Sequence, residues 1–151
     1  MTSGERLVDH ALALRWDDLP DASRRAARHF LYDSLCVGAA GARAAHADAV
    51  LDMVRGWGAG DVAGVLGRPG LRLPAASAAF VNAFQIHGQE YDCVHEPAVL
   101  HPMATILAAL LSEAARGDAV DGRRFLTAIA AGADVAVALG VAAGPLSFFR
   151  P

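Results

Sequence analysis

The sequence contains no lysine, and all 13 residues of the lysine and arginine type are arginine. An enzyme that forms a Schiff base or uses a lysine base would have to obtain that lysine from outside this chain. Charge is also scarce: charged residues make up 19% of the sequence, and the formal net charge is −3. With no basic patch, the chain lacks the electrostatic footprint of a protein that binds nucleic acid.

Cysteine is nearly absent as well. Cys36 falls in an apolar helical run, where we expect a small core residue, and Cys93 lies in a polar stretch. A disulfide between the two stays open, but nothing around them indicates an oxidising compartment. The first residues, MTSGERLVDH, lack the basic and apolar regions of a signal peptide. The sequence therefore predicts a reduced, cytoplasmic protein.

Motifs that would indicate other chemistries are missing. The Gly-rich segment 56–74 contains neither a Walker motif nor GxGxxG, so it does not predict a phosphate-binding loop. No G-x-S-x-G elbow is present to carry a serine nucleophile. The Ala- and Gly-rich helices are interpreted as core, and we expect no cofactor.

What the sequence does have is apolar residues, which make up 54% of the 151 and can bury a substantial core. Their helical spacing predicts an all-α fold, an Ala-rich multi-helix bundle over 1–151. The predicted helices span, approximately, 3–14, 20–38, 46–57, 74–90, 102–116 and 123–141. Two short apolar runs separated by GRPG predict a small hairpin or extended excursion near 62–73.

The longest apolar segment, Phe125–Leu146, is long enough to cross a membrane and carries one charge, Asp134. Ala and Gly dominate it, and a charge near its centre costs about 2.5–3.5 kcal/mol on insertion. We therefore expect a buried helix of a soluble bundle and no contact with a membrane. Small residues recur there at every fourth position and would let another backbone approach closely: Gly132, Ala136, Gly140 and Gly144.

A polar insert, HGQEYDCVHEPAVLHP at 87–102, separates two Ala-rich segments. It concentrates five ionisable side chains in twelve residues: Glu90, Asp92, His95, Glu96 and His101. Apolar residues are interleaved with them, which predicts a partly buried loop whose charges need partners or a function. Pro97 and Pro102 argue against a continuous helix, and Pro102 suits the first turn of the next one.

Several of these residues also have a plain structural interpretation. His87 is expected to cap or pack at the end of the fourth helix. The acids and imidazoles of the insert are metal-ligand types, but their spacing fits no standard motif, so we expect no metal site. Cys93 has no nucleophile signature around it. The histidines outside the insert are expected at the surface or in satisfied core contacts: His10, His29 and His46.

Several phrases, in this order, resemble the N-terminal part of the MmgE/PrpD family. They are RWDDLP, FLYDSLCVGAAG, VLGRPGLRLPAASAAFVNAF and, above all, HGQEYDCVHEPAVLHP followed by an Ala-rich helix. The resemblance covers essentially the whole chain. It implies a mostly helical domain, paired in a full-length protein with a smaller α+β domain. It also implies a metal-free, dimeric enzyme that acts on small carboxylic acids, with chemistry that begins beside a carboxylate.

The insert resembles a family motif that commonly reads D-[FY]-D-D-T-H, followed after a short loop by H-P. Glu90 stands at the first acid, and Asp92 matches the second. Cys93 and Val94 replace the third acid and the threonine. The acidic half of the motif is thus kept at two of its three positions.

The basic residues of the family pattern are matched more closely. His95 matches the histidine that ends the motif, and His101 stands in the H-P pair. Further on, the family often has G-F-H-P, whereas this chain reads FFRP, with Arg150 in place of the histidine. A guanidinium at that position would still suit an anionic substrate.

The resemblance implies a lyase or isomerase that dehydrates or decarboxylates a small di- or tricarboxylic acid. His101 is the expected general acid or base, and Glu90 or Asp92 would orient and tune its imidazole. His95 and Arg150 are expected to hold a carboxylate of the substrate.

The chain by itself is expected to be inactive, or nearly so, since any lysine and the α+β domain would lie outside it. Its apolar end, SFFRP, predicts that the helical domain is incomplete. We expect a homo-oligomer or a complementing chain as partner. The alternative is a non-catalytic helical module that serves dimerisation or binds a small acid.

Overall fold

The structure, a computed structural model, describes residues 1–144 and is all-α, as predicted. It is 66% helical, and the described part contains six α-helices and one small hairpin. The hairpin pairs two antiparallel strands, β1 (Ala63–Gly64) and β2 (Arg72–Leu73), and lies inside the excursion predicted near 62–73. The helices are α1 (Ser3–Ala13), α2 (Asp21–Gly41), α3 (Ala47–Arg55), α4 (Ala75–His87), α5 (Pro102–Ala114) and α6 (Gly122–Ala143).

Capping residues determine where the helices begin. Thr2 caps α1, because its Oγ1 accepts the N–H of Glu5 at 3.2 Å. The carboxylate of Glu5 in turn accepts the N–H of Thr2 at 2.6 Å, which completes a capping box. Asp121 caps α6, because its carboxylate accepts the N–H of Arg124 at 3.3 Å. Pro102 opens α5, where its missing N–H would have no helical partner anyway.

Two apolar clusters form the core, and α4 contributes to both. The first joins α3, α4 and the hairpin, and its buried members are Leu51, Val54, Ala63, Val65, Leu73, Ala78 and Val81. The second lies between α2, α4, α5 and α6, and its buried members are Ala27, Ile86, Met103, Ala104, Leu107 and Ile129. Each large side chain buried in this way stabilises the fold by about 1.5–3 kcal/mol. The end of α4 is therefore firmly positioned.

Two buried amides on α4 attach the segment that follows β1. Asn82 accepts the N–H of Leu66 at 2.8 Å and donates to the carbonyl of Gly64 at 3.0 Å. Gln85 donates to the carbonyls of Leu66, at 2.7 Å, and Gly38, at 3.2 Å. Because both amides are enclosed, these bonds satisfy groups that burial would otherwise leave unpaired.

α2 departs from the prediction in two respects. Cys36, expected in the core, is exposed, because it lies about 100° around the helix from the core residue Leu35. Arg24, expected on the solvated side of the helix, is partly buried, and both Arg24 and the exposed Arg28 stack over the ring of Trp16, at 5.3 and 5.2 Å. These contacts attach a short 3₁₀ helix, Trp16–Asp18, to α2.

α6 is less enclosed than predicted. In the described part it is the helix that is long and apolar enough to cross a membrane, by length and composition alone. Only 11% of its most apolar window is buried, and its buried residues are Ile129 and Gly140. Helices α1, α2 and α5 cover part of it, but Leu139 and Val141 are 60% and 52% exposed. The absence of membrane contact stays a prediction.

Candidate active site

The polar insert connects α4 to α5, which pack against each other, so the end of α4 lies beside the start of α5. His87 is the last residue of α4, and His101 immediately precedes Pro102, the first residue of α5. The two imidazole ring centroids are 4.8 Å apart, with the ring planes at 62°. The helix pair thus brings together two histidines from opposite ends of the insert.

The loop between the two helices is closed and locally strained. A backbone hydrogen bond of 2.9 Å from the N–H of His95 to the carbonyl of Leu100 closes it. Glu90 and Val99 have φ angles of 55° and 50°, in the left-handed region. For a β-branched residue such as Val99 this backbone is unfavourable, and such strain is often found at functional sites.

Asp92 joins the two imidazoles. Its side chain is completely buried, and its Oδ1 lies 3.1 Å from Nδ1 of His101 and 3.2 Å from Nδ1 of His87. An ionised carboxylate accepts hydrogen bonds and donates none, so with Asp92 ionised both rings carry a proton on Nδ1. In a neutral ring, Nε2 then has a free lone pair.

The surroundings of Asp92 differ between its two oxygens. Oδ1 receives both imidazole N–H groups, whereas Oδ2 is buried with no hydrogen-bond partner in the described part. A buried carboxylate is unfavourable unless donors compensate its charge, so the two imidazoles provide that stabilisation. His87 also faces a second carboxylate, since its Nε2 lies 3.6 Å from Oε1 of the exposed Glu90.

Both imidazoles line one cleft of about 580 Å³ between α4 and α5. The rest of its lining is mainly apolar: Phe80, Ala83, Phe84, Gly88, Val99, Leu100, Ala104 and Thr105. A larger groove of about 670 Å³ between α1 and α6 has arginines and aspartates among a mainly apolar lining, and no imidazole of the described residues lines it. We therefore place the candidate site in the histidine cleft, because acid–base chemistry needs a group that exchanges protons near neutral pH.

Of the residues predicted for the site, Asp92 and His101 are in direct contact. Glu90 reaches them only through His87, which the sequence interpretation treated as a helix end. The position of His87 at the start of the insert was the signal that could have identified it. When a loop connects two helices that pack against each other, the two ends of the loop lie close together. Of the two carboxylates predicted as partners of His101, Glu90 and Asp92, it is Asp92 that contacts it.

The two predicted substrate-binding residues are not part of this contact group. Nδ1 of His95 accepts the N–H of Ala98 at 3.2 Å and so caps a short 3₁₀ helix, Glu96–Ala98. The ring of His95 does not line the cleft. Arg150 lies outside the described residues. Substrate binding by either residue stays a prediction.

His87, Asp92 and His101 are also the three residues of the described part that are grouped closely enough to be considered as metal ligands. Their ligand atoms lie within 4.8 Å of one another. The distances of 3.2 and 3.1 Å from the two imidazole Nδ1 atoms to Oδ1 of Asp92 are those of hydrogen bonds. The absence of a metal site stays a prediction.

Cys93 is partly buried next to Asp92. Desolvation raises the pKa of its thiol, and the charges of Asp92 and Asp33 raise it further, against the opposing effect of the N–H of Met103. A thiol with a raised pKa is a poor nucleophile at neutral pH, because the thiolate is the reactive form. This setting supports the prediction that Cys93 is not a nucleophile.

Comparison with known proteins agrees with the sequence resemblance. A sequence model of the MmgE/PrpD N-terminal domain matches residues 5–148. Cis-aconitate decarboxylase from Mus musculus is 34% identical over 103 residues, which cover 67% of this chain and 21% of the mouse protein. The chain therefore spans about a fifth of the length of this curated relative.

Proposed function

The chain belongs to the MmgE/PrpD family, and we propose that it forms the acid–base part of a lyase that acts on a small di- or tricarboxylic acid. The reaction would be a dehydration or a decarboxylation beside a carboxylate. The mouse relative, named for the decarboxylation of cis-aconitate, supports this reaction class. Because the match covers a fifth of that relative, the complete enzyme would include further chain or a partner.

The observation that carries this proposal is the hydrogen bond between Asp92 and His101. The buried carboxylate fixes the imidazole at Nδ1, and no hydrogen bond occupies Nε2 of His101 in the described part. An imidazole held in this way can take a proton from carbon, or return one, through Nε2. Asp92 stabilises the imidazolium that forms, because the charge then faces a buried anion.

The surroundings of the cleft suit this chemistry in part. Apolar walls from α4 and α5 exclude water and strengthen electrostatic interactions with a bound substrate. The developing enolate-like charge also needs N–H or cationic groups. Neither lysine nor arginine lines the cleft in the described part, so we propose that Arg150 or residues beyond this chain supply that charge.

Glu90 and His95 have secondary roles in this proposal. Glu90 lies at the solvent side of His87 and would adjust the charge of the imidazole pair. His95 fixes the loop through its bond to Ala98, and its Nε2 is the nitrogen left to approach a substrate carboxylate. No cofactor or metal is part of the proposed chemistry. We further propose a cytoplasmic homo-oligomer, or a complex with a complementing chain.

The test is the turnover of the complete enzyme from its native host. His101→Asn keeps a donor near the Nδ1 position and removes Nε2, so turnover should fall by about 10²–10⁴-fold, the usual contribution of a general acid or base. His29→Asn, at an exposed position of α2, is the matched control and should leave turnover unchanged. Equal turnover of the two variants would refute the role of His101.

A second function is favoured by a specific observation. The family's third acid and threonine are replaced by Cys93 and Val94, and Val94 is 56% exposed. These replacements fit a non-catalytic module that dimerises or binds a small acid. Co-purification separates the two functions. A companion chain or a much heavier polypeptide supports the lyase, whereas a lone protein of 15.7 kDa supports the module.

A further inference from the structure

A small polycarboxylate needs a positively charged or N–H group for each carboxylate that does not react. In the described part, the side chains of the cleft that can carry positive charge are the imidazoles of His87 and His101. Since the proposed function assigns His101 to proton transfer, His87 is the group that remains for binding. Neither the sequence pattern nor the family resemblance gave it such a role.

We propose that His87 binds a carboxylate of the substrate through Nε2–H, while the neighbouring His101 transfers the proton; this inference rests on the proposed function. The two ring centroids are 4.8 Å apart, so one small acid can contact both rings. A carboxylate bound to His87 would therefore lie next to the imidazole of His101.

The buried side of the His87 ring is already fixed for this role. Nδ1–H donates to Oδ1 of Asp92 at 3.2 Å, and the ring is about half exposed on its other edge. In the imidazolium form, one N–H is therefore bound to Asp92 and the other is directed outward. A ring anchored at one nitrogen loses little freedom when it binds a ligand at the other.

Glu90 already places a carboxylate near this nitrogen within the chain itself. Its Oε1 lies 3.6 Å from Nε2 of His87, so an internal carboxylate occupies the position proposed for the substrate. The side chain of Glu90 is 75% exposed, and an exposed ion pair of this kind contributes little stability. A substrate carboxylate can therefore replace Glu90 on the same nitrogen.

The direct test is calorimetric binding of tricarballylate, an unreactive small tricarboxylate, to the complete enzyme from its native host. His87→Asn retains a donor at the position of Nδ1, so it preserves the contact with Asp92 and removes Nε2. We expect this variant to bind at least about tenfold more weakly, because it loses a charge-assisted hydrogen bond. His29→Asn should bind like the unmodified enzyme, and the uncharged trimethyl ester should not bind.

Imidazole ¹⁵N spectra show whether His87→Asn acts through binding alone. In that variant His101 should keep its Nδ1–H tautomer, because Asp92 still accepts that proton. Failure of the unmodified complete enzyme to bind tricarballylate, or binding by His87→Asn within twofold of it, overturns the proposal. So does loss of binding together with a changed tautomer of His101, since His87 would then act by positioning.

The comparison with His101→Asn separates this proposal from the lyase function on which it rests. If His101→Asn abolishes turnover of the complete enzyme while His87→Asn binds normally, the lyase assignment stands and the role of His87 is refuted. If His87→Asn loses binding while His101→Asn retains turnover, the carboxylate site stands and the acid–base role of His101 is refuted.

Discussion

Asp92 is the residue on which the candidate site depends, because one buried oxygen receives two imidazole N–H groups. Asp92→Asn preserves the shape but makes both hydrogen bonds neutral, and it places an amide N–H₂ where Oδ2 has no partner. Weaker bonds and unpaired donors should together lower the free energy of unfolding by about 2–3 kcal/mol. Urea denaturation measures this change.

Asp118→Asn is the matched control for that measurement, since Asp118 is exposed and forms no hydrogen bond or ion pair with residues 1–144. It should alter stability by less than about 0.5 kcal/mol. If both variants unfold at the same urea concentration, Asp92 does not have the stabilising contacts described above.

The two cysteines should differ in reactivity. Burial and neighbouring carboxylates raise the pKa of Cys93, so at pH 8 a smaller fraction of it is thiolate than of an ordinary thiol. Iodoacetamide should therefore alkylate the exposed Cys36 first, as followed by peptide mass spectrometry over time. In denaturing urea the two rates should become similar. Faster alkylation of Cys93 in the folded protein would contradict the burial described here.

The sequence predicted the residue types of the site better than their contacts. His101 and Asp92 were identified, and they touch. His87 was missed because its contact with Asp92 follows from the packing of α4 against α5, which local spacing does not encode. The assignment of Cys36 to the core was wrong for a related reason: an apolar run shows that a helix is buried, but the packing of its neighbours decides which side.

At the scale of the elements, α6 packs against the loop between α4 and α5, and this contact helps to hold the loop in place. Ala98 is fully buried, and a Cβ on Gly140 would come within 2.5 Å of its carbonyl oxygen. Gly140→Ala should therefore destabilise the protein by about 1–3 kcal/mol, as overpacking of a core usually does. It should also shift the ring resonances of His101.

Gly122 provides the control for this experiment. It lies at the start of the same helix, and among the described residues a Cβ there meets no atom within 4 Å. Gly122→Ala should leave stability unchanged or raise it slightly, since alanine restricts the unfolded chain more than glycine does. Equal effects of the two substitutions on the melting temperature would show that close packing of α6 on the loop is not required.

The elements themselves were largely predictable. All six helices and the hairpin near 62–73 were found where the hydrophobic spacing, glycines and prolines indicated them. The small-residue groove of α6 was also predicted, and Gly140 does lie against another backbone. The hydrogen bonds made by the side-chain amides of Asn82 and Gln85 were not predicted, because they join segments that are far apart in the sequence.

At the scale of the whole molecule, an apolar surface remains uncovered. α6 is more exposed than a core helix. Nε2 of His10 on α1 lies 2.8 Å from Oδ2 of Asp134, so α1 covers one edge of α6. Exposed Leu139 and Val141 lie near its C-terminal end. In a longer chain or an oligomer, an apolar surface of this kind is normally covered by another element.

We therefore predict that the 151-residue chain self-associates at micromolar concentration, and that Leu139→Glu shifts it toward monomer by placing a charge in the contact. Tyr32→Glu, at an exposed aromatic residue on α2, is the control and should leave the association unchanged. Multi-angle light scattering at several concentrations gives the mass directly. A monodisperse monomer of the unmodified chain would contradict the prediction, and an equal shift by both variants would place the contact elsewhere than on α6.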